Sequence, residues 1–266
     1  MKIAVAQTSP GPDPSVNLES ISSFAAQAAG AGARLVVFPE EAMLLADDTT
    51  KLSFHALVPP AWGEFEARLK KLAFELSLYI IAGGYEPNGA SLPFNTILAF
   101  GPDGRELARY HKVHTYDAFT YQESGYVTQG SSLPPVIEVN GLSVGIANCY
   151  DVRFPELFRY FADQGVDIIS LSAAWVMGKG KEQQWSILTQ ARAIENVSWL
   201  LAAGTVGDDS IGLSRVIDPL GVVVAGANGN DEELLVVEID EDRLARAREI
   251  LPALGNRRIS LEYAIN

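Results

Sequence analysis

Cys149, the single cysteine of the chain, stands just past the apolar run Leu142 to Ala147, and a helix opens a few residues later near Pro155. A thiol at that place faces backbone N–H groups and a helix N-terminus, which favour the thiolate. Two more reactive side chains share the address, the carboxyl end of a predicted strand: Glu40 after Arg34 to Phe38, and Lys112 in Arg105 to Val113. Open α/β sheets place their ligand crevices there. A thiol is mostly protonated at neutral pH, so attack on an acyl carbon needs a carboxylate to take the proton and a cation to favour the thiolate. Taken singly, each residue also has an ordinary role: a small core side chain for Cys149, a helix start for Glu40 or Glu41, a solvated edge for Lys112.

Such residues meet only if the chain folds into layers that bring strand ends together, and its periodicity supports this. Ile3 to Ala6 reads as a strand, after which Asp13 caps a helix with Pro14 in its first turn and an end near Gly30 or Gly32. Arg34 to Phe38, stopped by Pro39, has the pattern of a strand buried on both faces and completes a βαβ unit. Phe65, Leu69, Leu72, Ala73 and Leu76 recur at helical spacing. Tyr79 to Tyr85 and Phe94 to Phe100 read as strands, with Gly83-Gly84 a bend rather than a phosphate cradle, and Gly101-Pro102-Asp103-Gly104 turns into the Lys112 strand. Thr115 to Ser132 has no period and reads as a functional loop. Asn140-Gly141 makes a tight hairpin between Val136 to Val139 and Leu142 to Ala147. Helix and strand then alternate through Phe154 to Gln164, Asp167 to Leu171, Glu182 to Asn196 and Trp199 to Ala203, before a hairpin over Arg215 to Ala225 and a short helix at Asp242 to Glu249. The expectation is one α/β domain over residues 1–249 with sheets buried between helices, and a tail over 250–266.

The 266 residues carry 20 Lys+Arg against 33 Asp+Glu, a net charge of −13, and 48% are apolar. That apolar share supports a sizeable core and excludes disorder, while the negative charge repels nucleic-acid phosphates and anionic lipid heads. No run approaches the ~18 apolar residues of a membrane span, and the N-terminus reads as a strand, not a signal peptide. A lone cysteine makes no intrachain disulfide and suits a reducing compartment, so a cytoplasmic protein is expected. His55, His111 and His114 are too few and scattered for a metal site, so polar roles are expected of them and no metal or cofactor is.

The segment Val144-Gly145-Ile146-Ala147-Asn148-Cys149-Tyr150-Asp151-Val152-Arg153-Phe154-Pro155-Glu156-Leu157 resembles the nucleophile motif of the nitrilase superfamily of carbon-nitrogen hydrolases. Val36-Val37-Phe38-Pro39-Glu40 is similar to that family's catalytic-glutamate strand, and Tyr110-His111-Lys112-Val113-His114 to its catalytic-lysine strand. Gln122-Glu123-Ser124, Gln190 to Asn196 and Val216 to Gly221 resemble later family segments, so the likeness runs through most of the chain. It implies a four-layer α-β-β-α sandwich and a metal-free Glu-Lys-Cys triad, with Glu40 as general base, Lys112 as cationic stabiliser and Cys149 as nucleophile. Glu123 then orients Lys112 or the substrate. Lys112 and the Tyr150 N–H hold the oxyanion, and a thioester forms and is hydrolysed.

Tyr150-Asp151 with Arg153-Phe154-Pro155-Glu156 is similar to the amidase branch that includes omega-amidases and deaminated-glutathione amidases, so a small amide is expected ahead of a nitrile. A distal carboxylate on that amide would meet Arg153, Lys179 or Lys181, and Trp175 would either line the pocket or pack on Trp185. Arg153 and Glu156 also read as a polar pair bracing the Cys149 turn. Gln129 and Lys179 to Gln184 depart from the branch's pattern. Two other readings compete: a metal-dependent phosphoesterase of similar architecture using Glu40, Asp151 and a histidine, and a non-catalytic binding protein on the same fold. Leu251, Leu254, Ile259, Leu261 and Tyr263 make the tail apolar, which points to a homodimer or larger assembly.

Overall fold

A computed structural model describes residues 1–89, 91–119 and 121–265. Its first half runs β1 (Lys2–Gln7), α1 (Pro14–Gly30), β2 (Leu35–Val37), α2 (Asp48–Lys51), α3 (Phe54–Leu76), β3 (Tyr79–Asn88), β4 (Ser91–Phe100) and β5 (Glu106–His111), then a small hairpin of β6 (Asp117–Ala118) and β7 (Tyr121–Gln122). The second half runs β8 (Val136–Val139), β9 (Leu142–Asn148), α4 (Pro155–Asp163), β10 (Ile168–Ala173), α5 (Lys181–Asn196), β11 (Trp199–Gly204), β12 (Val206–Gly207), β13 (Ser210–Ile211), β14 (Arg215–Ile217), β15 (Val223–Gly226), β16 (Glu233–Glu238) and α6 (Glu241–Ile250).

Alternation along the strands decides the layering. In β1, Ile3 and Val5 belong to the core between the sheets, while Ala4 and Ala6 pack with Leu18, Ile21 and Phe24 of α1 and Phe65 and Leu69 of α3. Ile97 and Ala99 face inward from β4 in the same way, and Leu98 and Phe100 outward. One sheet has the order β16-β1-β2-β3-β4-β5 and the other β15-β14-β11-β10-β9-β8. Phe158 and Phe161 of α4 and Trp185 of α5 cover the second. The result is an α-β-β-α sandwich, whose strands read as continuous apolar runs because both faces are buried.

Direction places the reactive ends. β1, β2 and β3 are parallel and β3, β4 and β5 antiparallel in turn, so β2 and β5 finish at the same edge. In the other sheet β9, β10 and β11 are parallel. The Ser172 hydroxyl at the end of β10 donates to the Phe38 carbonyl across the sandwich at 2.7 Å, locking the two edges together.

Three local readings change. Gly83 and Gly84 form no bend, since β3 pairs with β4 in regular register through both. Their small size admits the Glu40 segment: a Cβ on Gly83 would lie 2.1 Å from the Glu40 carbonyl oxygen, and the Gly83 N–H donates to Pro39 at 3.0 Å. The helix expected around Phe65, α3, begins at Phe54 and runs through Pro59 and Pro60 because Val58, Ala61 and Trp62 are buried along it. β16, unread in the sequence, pairs antiparallel with β1 and closes that sheet's edge. The loop over 115–132 is ordered by β6, β7 and a 3-10 turn at Glu123–Gly125; Thr120, and Asn266 at the end of the tail, lie outside the described residues.

Gly83→Ala should therefore destabilise the fold by about 1–3 kcal/mol through overpacking. Gly11→Ala, where an added Cβ meets nothing within 4 Å, is the control. Equal urea midpoints for the two variants would show that the Glu40 backbone yields freely.

Candidate active site

Glu40, Lys112, Glu123 and Cys149 come together in the seam between the sheets, each less than 8% exposed. Lys112 Nζ donates to Glu40 Oε1 at 2.7 Å and to Glu123 Oε2 and Oε1 at 2.8 and 3.0 Å. Glu40 Oε2 accepts from the Ala174 N–H beyond β10 at 2.8 Å, so residues from both sheets hold this carboxylate. The Lys112 main chain is clamped on both sides: its N–H donates to Asn95 and its carbonyl accepts from Gly130, at 2.9 and 2.8 Å. A Cβ on Gly130 would sit 2.1 Å from the His111 carbonyl oxygen, so the segment holding Gln129 passes as close to the lysine strand as Gly83 does to Glu40. Gln129 Nε2 donates to the Val113 carbonyl, a structural use of that departure.

Cys149 opens a 3-10 turn, Cys149–Arg153, with φ at 43°, a left-handed conformation that L side chains avoid. Asp151 holds the turn. Its Oδ2 accepts from the Asn148 N–H at 2.9 Å and the Tyr110 hydroxyl at 2.8 Å, and its Oδ1 lies 2.7 Å from His114 Nδ1. His111 meets Glu86 instead, and His55 is exposed. The phosphoesterase reading needs Asp151 as a metal ligand, but both its oxygens are engaged, and among the described residues no group of three His, Cys, Asp or Glu is placed to hold an ion.

Charge follows from this geometry. Burial raises the Glu40 carboxyl, but the Lys112 charge and the donors around it more than reverse that and hold it below the usual range. Burial pulls the Lys112 ammonium down, while Glu123 and Glu40 lift it well above its ordinary value. Burial and then the Glu40 charge push the Cys149 thiol well up. The resting site therefore holds an ionised Glu40 carboxylate, the Lys112 ammonium and a protonated thiol beside a base.

Beside the cluster, Tyr116, Phe119, Tyr150, Arg153, Trp175 and Lys181 pack on one another, and the Tyr116 N–H donates to Glu123. The Lys181 ammonium lies 4.6, 4.6 and 5.2 Å from the ring centres of Tyr116, Phe119 and Trp175, and its Nζ donates to the Tyr116 hydroxyl. The Arg153 guanidinium lies 4.8 Å from Trp175 and 5.9 Å from Tyr150, and donates to Gln184 Oε1 at 2.6 Å. Arg153 and Glu156 are thus no pair: Glu156 is exposed at the start of α4, while Arg153 donates to Gln184 and lies over the Trp175 ring. Lys179 is exposed and Lys181 buried, which separates the two lysines. Trp175 packs 5.3 Å from Trp185, the packing role expected of it, with the Arg153 guanidinium over its ring.

Sequence reasoning missed Asn95, Tyr110, Tyr116, the clamping part of Asp151 and the buried Glu41. Asn95 and Tyr110 occupy strand positions that signal only burial. Glu41 Oε1 accepts from the Tyr85 hydroxyl at 2.8 Å and its Oε2 from the Ala46 N–H at 3.1 Å, so neither it nor Glu40 serves a helix start.

The fold and this site define a carbon-nitrogen hydrolase: the family model for carbon-nitrogen hydrolases matches residues 2–249, and the chain belongs to that family. Among its relatives is the deaminated glutathione amidase of Escherichia coli O157:H7, 39% identical over 244 residues that cover 92% of each chain. Omega-amidase NIT2 of Homo sapiens is 31% identical over 259 residues, covering 94% of this chain and 91% of the relative. A similar solved structure is a mutant of the amidase from Nesterenkonia sp. AN1, with covalent addition of the acetamide moiety of fluoroacetamide at its active site cysteine. It superposes with a TM-score of 0.84 at 27% identity, over 97% of this chain and 94% of that one.

Burial, then the Glu40 charge, pushes the Glu41 carboxyl up to about 7. Glu41 therefore binds its proton more tightly in the folded state. The stability this contributes, about 3 kcal/mol, is full below the unfolded value near pH 4.5 and is lost as pH rises through 7. Glu41→Gln mimics the protonated form, so its urea stability relative to wild type should be nearly unchanged at pH 5 and higher at pH 8. A difference that does not vary with pH would show that Glu41 is ionised throughout.

Proposed function

We propose that this protein hydrolyses a short aliphatic primary amide carrying a distal carboxylate, with Cys149 as nucleophile, Glu40 as general base and acid, Lys112 as the cation of the site and Glu123 as its holder. The observation that carries the reading is the dry Glu40–Lys112–Glu123 cluster beside the one thiol of the chain. Cys149 Sγ adds to the amide carbon as its proton passes to Glu40. The oxyanion forms beside the Lys112 charge and the Tyr150 N–H. Glu40 returns the proton to the nitrogen, the C–N bond breaks, and ammonia leaves a thioester. Water, deprotonated by Glu40, adds to that thioester; the C–S bond breaks, the acid leaves, and the proton goes back to sulfur.

The distal carboxylate is supported by two cations with no counter-ion: among the described residues Arg153 and Lys181 have neutral polar partners, Gln184 and Tyr116. Burial and the Arg153 charge lower the Lys181 ammonium's pKa, as expected of a cation awaiting an anion. Tyr150 and Trp175 supply the aromatic sides of this subsite. The names of the amidase relatives agree with an amide ahead of a nitrile, and Lys112 with the Tyr150 N–H stabilises an oxyanion that an amide carbonyl forms and a linear nitrile does not. The free thiol suits a reducing compartment, the cytoplasm.

We infer also that residues 1–249 act as the catalytic unit and that the tail joins two copies into a homodimer. Tyr263 and Arg257 fold back onto Asp163 of α4, whereas Ile259, Leu261 and Ile265 remain exposed beside them. Such an apolar ridge needs a cover, and a second copy provides one.

Ammonia release from succinamate should exceed ammonia release from 3-cyanopropanoate, its nitrile analogue, and should vanish in Cys149→Ala with melting unchanged. Arg153→Gln and Lys181→Met should each raise KM for succinamate about 10-fold or more while sparing butyramide, which lacks the carboxylate. Turnover by Cys149→Ala, or a nitrile preference, ends the amide reading; equal effects on both amides end the carboxylate reading. Light scattering should give twice the chain mass of 28.7 kDa at micromolar concentration, and a monomer refutes the dimer.

A further inference from the structure

Asn95 lies on β4, 1% exposed, with its amide wholly committed inside the cluster. Its Nδ2 donates to Glu40 Oε1 at 2.8 Å and to Glu123 Oε1 at 2.9 Å, and its Oδ1 accepts from Asn148 Nδ2 at 2.9 Å. Since the Glu40 carboxylate can only accept, the Asn95 amide turns its N–H groups toward the carboxylates and its oxygen toward Asn148 on the nucleophile strand. We propose that Asn95 is a positioning residue that selects which oxygen of Glu40 takes the thiol proton and keeps the end of β9 in register with it.

The selection follows from counting acceptors. Each carboxylate oxygen offers two lone-pair sites. Glu40 Oε1 has filled both, with Lys112 and Asn95, while Oε2 accepts one bond, from Ala174, and keeps one site open. Oε2 is then the atom that receives the Cys149 proton. Without the Asn95 donor, Oε1 regains an open site and the carboxylate can rotate about the Lys112 contact. The bond to Asn148, the residue before Cys149, makes the same amide a strut across the two sheets. This inference rests on the reading of Cys149 as nucleophile and Glu40 as base.

Alkylation of Cys149 by iodoacetamide, followed by mass spectrometry across pH, tests it without amide turnover. Asn95→Asp sets a further carboxylate against Glu40 and Glu123, so its alkylation profile should move to higher pH by about one unit or more. With succinamate, kcat should fall about 100-fold with KM little changed, the sign of a misplaced base. Asn95→Ser, which keeps one donor, should recover part of that loss. Ser172→Ala removes a buried hydroxyl bond elsewhere in the seam, and its melting temperature should fall without moving the alkylation profile. Should Asn95→Asp not fold, Asn148→Ser, which removes only the strut, must still shift the profile. An unmoved profile in the folded variant, or a loss confined to KM, overturns the proposal. A wild-type protein that releases no ammonia from amides refutes the amide reading, and the alkylation profiles still decide Asn95.

Discussion

One ammonium between two carboxylates, in a seam that excludes water, sets the terms for the rest of the structure. Taking such ions out of water costs several kcal/mol each, and their attraction offsets this only when the geometry is close and the remaining acceptors are satisfied. Lys112 meets both conditions, with three carboxylate oxygens within 3.0 Å and neighbours that complete the carboxylates from Asn95, Tyr116 and Ala174. Those neighbours come from β4, from the loop before β6 and from the residue just past β10. The sandwich can close only in the register that brings them to one point, and a slip of one residue in β5 would turn Lys112 away from the seam.

The nucleophile depends on the same edge. Tyr110 and His114 stand two residues before and after Lys112, and both reach Asp151, two residues after Cys149. The strained φ of Cys149 is thereby over-determined by a buried carboxylate fixed to the lysine strand, an arrangement in which strain persists. Glycine makes the approach possible on each side, at Gly83 against Glu40 and at Gly130 against the strand of Lys112.

Beside the seam, the local charge is positive. The chain carries a net charge of −13, yet Arg153 and Lys181 are set together among aromatic rings there. Desolvated cations against ring faces are held more strongly than in water and lose little mobility on meeting an anion. The net negative charge repels anions of every kind at long range, whereas the two cations act only at short range.

The places of Glu40, Lys112 and Cys149 just past strand ends, the sheets buried between helices and most element boundaries were legible in the sequence, because they rest on local signals: apolar strands stopped by Pro39 or by the Cys149 turn, Asp13 with Pro14 at a helix start, and Asn140-Gly141 in a hairpin whose φ values are 49° and 85°. What the tertiary structure alone decided is which polar side chains meet. Asn95, Tyr110 and Asp151 sit where any strand or turn residue might, and they acquire meaning through side-chain partners 28 to 55 positions away. Lys179 and Lys181 are alike in sequence, yet the turn before α5 leaves the first exposed, while the second, the first residue of α5, is buried among three rings. β16 escaped notice because its strand character depends on pairing with β1 from the far end of the chain. Local signals record the backbone's own preferences, whereas hydrogen bonds between distant side chains are written in neither residue and exist only once the sheets have closed.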